Sequence, residues 1–141
     1  MTDPNDINPR PWPDDTLTEE QLSGLVHRFY ARIREDAVLG PVFNGAIEDW
    51  PDHLEKLTAF WSSVMLTSGR YKGNPMAAHL KQREAIRPTM FERWLQLWGE
   101  TARETLTEPV AAGVIAKAER IAESLQLGMF FRLDDPRPNA A

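Results

Sequence analysis

The chain has 141 residues, 42% apolar and 26% charged, with a formal net charge of −5 and no cysteine. That length fits one domain burying roughly 68% of its unfolded surface. The missing cysteines exclude disulfides, thiolate catalysis, cysteine-bound zinc, iron–sulfur clusters and C-x-x-C-H cofactor attachment. The acidic balance argues against nucleic acid as the main partner, because phosphate binding needs a basic face. No apolar run approaches the roughly 18 residues of a membrane helix. The opening MTDPNDINPRPWPDD has neither a basic start nor an apolar stretch, so a cytoplasmic location and no membrane association are expected.

Residues 1–16 hold Pro4, Pro9, Pro11 and Pro13 with little apolar material and are expected to form a flexible tail. Thr18, with Gln21 three residues on, is a capping box that opens a helix. Its Leu22, Leu25, Val26, Phe29 and Ile33 share one stripe, flanked by Tyr30, and Gly24 is a point where it splits. Gly40-Pro41 is expected to end this helix, with Pro41-Val42-Phe43 as a tight turn. A second helix begins near Asp49, with Pro51 in the first turn and His53, Leu57, Phe60, Trp61 and Val64 on its inner face.

The loop Ser68-Gly69-Arg70-Tyr71-Lys72-Gly73-Asn74 follows, and Pro75 opens a very short helical piece, Met76 to Leu80, that carries His79. Pro88 or Thr89 starts a third long helix with Phe91, Trp94, Leu95, Trp98 and Thr101 on one side. Glu108-Pro109 opens the last, with Val114, Ile115, Ala118, Ile121, Ala122 and Leu125 inward. Gly128 is its expected C-cap, and 129–141 is a second tail. There are no alternating β-branched runs. The expected class is all-α, with four long helices and one short one.

Five Trp, six Phe and two Tyr are many for a small helical bundle. They fit either ordinary core filling or a large, flat guest. Three histidines stand at 27, 53 and 79, but their flanks (LVHRF, PDHLE, AAHLK) do not repeat. His27 reads as a surface residue. His53 lies on an apolar helix face, which suits either a satisfied core histidine or a functional group. His79 sits on a short, loosely tethered helix, which suits a metal ligand that must adjust its distance. Met65, Met76 and Met90 are the other candidate metal donors. The basic residues Arg70, Lys72, Lys81 and Arg83 bracket His79, either as a solvated face or as counter-charges for carboxylates. There is no H-E-x-x-H, no G-x-S-x-G and no phosphate loop. The residues alone leave two classes open: a cofactor-binding helical protein, or a cofactor-free all-α interaction module whose aromatic stripes are core and partner surface.

The motifs taken together are more specific. Phe29–Asp36 (FYARIRED), Leu39–Phe43 (LGPVF), Trp50–His53 (WPDH) with Phe60-Trp61, Gly69–Pro75 (GRYKGNP) leading to His79-Leu80, and Arg93–Trp98 (RWLQLW) occur in this order. The set resembles the group III truncated haemoglobins over residues 17–128, with Trp98 where Phe is the expected residue. The resemblance implies a truncated globin fold, a two-over-two helical sandwich enclosing a non-covalently held haem b. It implies His79 as the proximal iron ligand and Tyr30, His53 and Trp94 on the distal side. Phe43, Leu57, Phe60, Tyr71, Lys72 and Arg83 are then the expected haem-binding residues, the basic ones meeting its carboxylates. The implied partners are dioxygen and other small diatomic ligands, with a reductase as electron donor. Tyr30 and Trp94 are both hydrogen-bond donors. Two donors suit tight retention, and so peroxide or nitric oxide chemistry, better than oxygen transport.

Overall fold

The computed structural model of the chain describes residues 16–130. Most of the expected 1–16 tail, and all of the 129–141 tail beyond Phe130, lie outside the described residues. Six helices, and no strand, occur among the described residues: α1 (Glu19–Glu35), α2 (Gly40–Ala46), α3 (Trp50–Leu66), α4 (Pro75–Lys81), α5 (Pro88–Thr105) and α6 (Glu108–Phe130). None is long and apolar enough to cross a membrane. α1 packs on α3, α5 packs on α6, and α1 against α5 joins the two pairs, while α2 rests on α1 and α4 on α6. This is the two-over-two sandwich.

The capping box at Thr18 forms as expected. The Thr18 hydroxyl accepts from the Gln21 N–H at 3.1 Å, and the Gln21 side chain accepts from the Thr18 N–H at 3.0 Å. Gly24 does not split α1. Leu22, Leu25 and Val26 around it are fully buried, and their burial outweighs the roughly 1 kcal/mol that a glycine costs inside a helix.

The turn expected at Pro41-Val42-Phe43 is a helix instead. Asp36, just past the end of α1, accepts from the N–H groups of Val38 and Leu39 at 3.1 and 3.0 Å. It thereby folds the chain into a new helical start with Pro41 in its first turn. Gly40 is buried against α1, where a Cβ would come within 2.8 Å of the Arg34 carbonyl oxygen. Backbone meets backbone there, and no side chain fits.

Asp36 also ties α1 to α5. Its Oδ1 accepts from Arg93 Nη2 at 2.6 Å and Nε at 3.0 Å, and its side chain is only 6% exposed. The Arg93 hydrogen bonds hold its carboxyl below the usual carboxylate range. A carboxyl depressed in the folded state contributes stability that is complete above its unfolded pKa, about 3.9, and is lost as pH falls through the folded value. Thermal melts should therefore show a steep loss of Tm below about pH 4 that is flattened in Asp36→Asn. The milder loss below about pH 6.5 should remain in that variant, because burial also holds His53 below its ordinary pKa.

The last helix overruns its expected end. Gly128 lies inside α6, not at its C-cap, and Met129 beyond it is fully buried. The glycine serves packing: a Cβ at 128 would collide with the Met76 side chain, which seats α4 on α6. The short helix α4 is capped by Asn74, whose side chain accepts from the Ala77 N–H at 3.1 Å, and it has no buried residue of its own.

Candidate cofactor site

Tyr30 is the centre of an aromatic group drawn from α1, α2 and α3. Its position on the inner face of α1 leaves it 4% exposed, against Phe29 at 4.7 Å, Phe43 of α2 at 5.8 Å and Trp50 of α3 at 6.1 Å between ring centroids. Burial pushes its phenol far above the ordinary range, and a hydrogen bond from Trp94 offsets this only in part. An indole N–H can only donate, so Trp94 spends its one proton on the Tyr30 oxygen. Tyr30 and Trp94 are therefore neighbouring donors, with the Trp94 N–H directed at the Tyr30 oxygen. The O–H of Tyr30 has no acceptor among the described residues. A buried hydroxyl proton without a partner costs about 1–3 kcal/mol.

His53 is half-buried on α3, edge-on to Trp50 at 5.9 Å. Burial and the neighbouring charge of Lys56 lower its pKa against the pull of Asp52, so it is a neutral imidazole at neutral pH. Leu57 and Phe60 follow on the same helix, half-buried and packed on the core from one side. Phe60 meets Tyr71 edge-on at 5.2 Å. The Tyr71 N–H is held by Ser63 Oγ at 2.9 Å, which fixes the loop after α3 to that helix.

His79 stands apart from this group on α4. Its Nδ1 lies 2.7 Å from the Pro75 carbonyl oxygen. A carbonyl can only accept, so Nδ1 carries a proton, and in the neutral ring Nε2 then keeps its lone pair for a metal. His27 makes the same bond to the Ser23 carbonyl at 2.8 Å on the exposed side of α1, so the bond follows from helix geometry. What distinguishes His79 is its setting. Phe91 of α5 lies nearly parallel to it at 6.5 Å, and half-buried Leu80, Ile86 and Leu95 belong to the same small core. Phe91 and Trp94 are one turn apart, so α5 links the His79 side to the Tyr30 side.

Of the methionine candidates, Met76 shares this small core and the other two are placed elsewhere. Met76 lies against Gly128, Met90 is buried with its sulfur 3.5 Å from the Arg87 N–H, and Met65 packs on the main core. Of the basic cluster, Arg70 pairs with Glu19 at 2.6 Å, strapping the loop to the start of α1. Lys72 and Lys81 are exposed, and Arg83 is half-buried just after α4. Trp50, Phe91, Asp36 and the Pro75 carbonyl escaped sequence reasoning as parts of the site. Only Phe91 left a signal, since it precedes Trp94 by one helical turn.

No family model matches the chain. It is 33% identical over 116 residues to the Group 3 truncated hemoglobin ctb of Campylobacter jejuni, covering 79% of this chain and 91% of that protein. The crystal structure of the group III truncated hemoglobin from Campylobacter jejuni superposes with a TM-score of 0.77 at 32% identity, covering 82% of this chain and 94% of that one. Sequence and fold agree over most of both lengths. The chain belongs to the group III truncated haemoglobins.

Proposed function

We propose that the protein would hold a haem b without covalent attachment, with His79 Nε2 as the protein's ligand to its iron, and would retain small diatomic ligands through the Tyr30 hydroxyl. The observation that carries this reading is the buried Tyr30 proton, which has no acceptor among the described residues although Trp94 occupies its oxygen. A cofactor-free interaction module would leave that proton unpaired at full cost. The donor chemistry fits as well. No three His, Cys, Asp or Glu side chains come together among the described residues, so a bare ion has no cage there. A metal held in a porphyrin needs only one ligand from the protein, and His79 supplies a neutral imidazole with its second nitrogen already satisfied. The half-buried apolar faces of Leu57 and Phe60 on one side, and Leu80 and Leu95 on the other, suit a flat hydrophobic guest. Lys72 and Arg83 are the residues that would meet its carboxylates.

Haem would supply a site for diatomic ligands and one-electron chemistry; the chain supplies its orientation and its proton. Trp94 polarises Tyr30 by donating to its oxygen, and a polarised O–H donates more strongly in turn. His53, neutral and beside Trp50, can accept a proton on its ring. A donor this strong favours retention over release, so peroxide or nitric oxide chemistry fed by a reductase suits the pocket better than transport. Adding haem to purified protein should give a red product with a Soret band near roughly 410 nm at one haem per chain. Protein that stays colourless and takes up no haem would overturn this reading.

A further inference from the structure

Behind Tyr30, Trp94 leads into a continuous run of aromatic rings, and its two fully buried members, Trp98 and Trp61, take no part in ligand retention. The Trp94 and Trp98 rings are parallel within 6°, with centroids 5.5 Å apart. Trp98 stacks on Trp61 of α3 at 4.4 Å and 19°. Trp61 meets Phe60 edge-on at 5.7 Å, and Phe60 meets Tyr71 at 5.2 Å. Trp98 and Trp61 are 0% and 2% exposed. Tyr71 lies at the other end, only half-buried, with its phenol against exposed Gly73.

We propose that the Trp94–Trp98–Trp61 stack carries electrons from Tyr71 into the pocket when the protein reacts with peroxide, which makes Tyr71 the surface site where a small one-electron donor is oxidised. This rests on the haem reading above. Indole and phenol rings are the readily oxidised side chains in a protein with no cysteine, and electron transfer falls off steeply with separation, which favours rings in contact. Proton bookkeeping sets the direction. The Trp98 N–H donates to the Val114 carbonyl at 3.2 Å, and a carbonyl does not take up that proton. The Trp94 N–H is held by the Tyr30 oxygen, which still carries its own proton. An indole that loses an electron therefore keeps its proton and is refilled by an electron alone, so the stack conducts and does not trap. Phe60 is not oxidised; it fills the gap between Trp61 and Tyr71.

Tyr71 can release its phenolic proton to water as its electron leaves, forming a neutral phenoxyl radical. A phenol or enediol in solution returns one electron and one proton to it. Two such turnovers deliver two electrons and two protons, which convert hydrogen peroxide to two waters. Tyr30 is a poor end point, because its buried proton has no acceptor among the described residues.

The test uses the haem-loaded protein, confirmed by its Soret band, treated with hydrogen peroxide and a nitroso spin trap and mapped by peptide mass spectrometry. The expected adduct is on Tyr71. It should fall about tenfold in Trp98→Phe and in Trp61→Phe, while the first peroxide-induced Soret change keeps its rate. Phenylalanine preserves an aromatic ring at each site; should either variant fail to fold, half-exposed Tyr71→Phe decides the question by slowing oxidation of an added phenol about tenfold. Adducts confined to Tyr30 or to methionine, unchanged Tyr71 labelling in both Trp variants, or full phenol oxidation by Tyr71→Phe would each overturn the route. Protein that takes up no haem overturns both readings; haem-loaded protein without Tyr71 labelling overturns the route alone.

Discussion

Replacing His79 by alanine is expected to abolish stable haem uptake, read as loss of the Soret band and more than about 100-fold weaker retention of haem against a competing apoglobin. The magnitude follows from removing the ligand itself, since disturbing only a ligand's outer partners already costs about 10–100-fold. Each methionine candidate among the described residues is already engaged in packing. Met76 is pinned against Gly128, Met90 is buried with its sulfur at the Arg87 N–H, and Met65 packs on the main core. Because α4 contributes no buried residue, the substitution leaves the core intact, and the helical circular dichroism spectrum should be preserved. Free imidazole added to His79→Ala should restore part of the band by occupying the vacated position. A normal Soret spectrum in the variant without imidazole would assign the iron to another residue.

The second large effect is expected at Tyr30. Tyr30→Phe removes one hydroxyl and keeps the ring that packs on Phe29, Phe43 and Trp50. Loss of a hydrogen bond to a charge-bearing ligand is worth about 1.5–3 kcal/mol, so stopped-flow measurement should show oxygen dissociating roughly 10- to 100-fold faster. Carbon monoxide, less polarised when bound, should be affected far less. Trp94→Phe should speed oxygen release by a smaller factor than Tyr30→Phe, because Trp94 acts through the Tyr30 oxygen. Equal effects would mean that the two residues contact the ligand independently. Unchanged off-rates in Tyr30→Phe would hand the role to Trp94 or His53.

Local signals in the chain carried most of the architecture. The Thr18 and Gln21 box and the prolines at 51, 75 and 88 each mark a helix start by chemistry that acts within one turn, and the apolar stripes set the buried faces. The same locality explains the failures. Gly40-Pro41 punctuates a turn and a helix start equally well; Asp36 and the backbone of Arg34 decide between them. Gly128 has the composition of a helix stop, yet its purpose is to admit Met76 from a segment about fifty residues away. At the site, residue types announced donors and cations but not their recipients. Trp94 was legible as a donor, whereas its acceptor, Tyr30, lies on a different helix. Arg70 was legible as a cation near His79, whereas its partner Glu19 opens α1. Spatial partners across dozens of residues leave no periodic trace.

The helix that carries His79 has no buried residue, whereas Tyr30 sits within the main core. The two halves of the pocket therefore differ in how freely they can vary over evolutionary time. Around Tyr30, most exchanges disturb packing shared with α3 and α5, so a new distal chemistry comes at the expense of a stable fold. Around His79, residues 77, 78 and 81 are exposed and can change with little consequence for the rest of the protein. New behaviour in this chain is thus more readily acquired around His79.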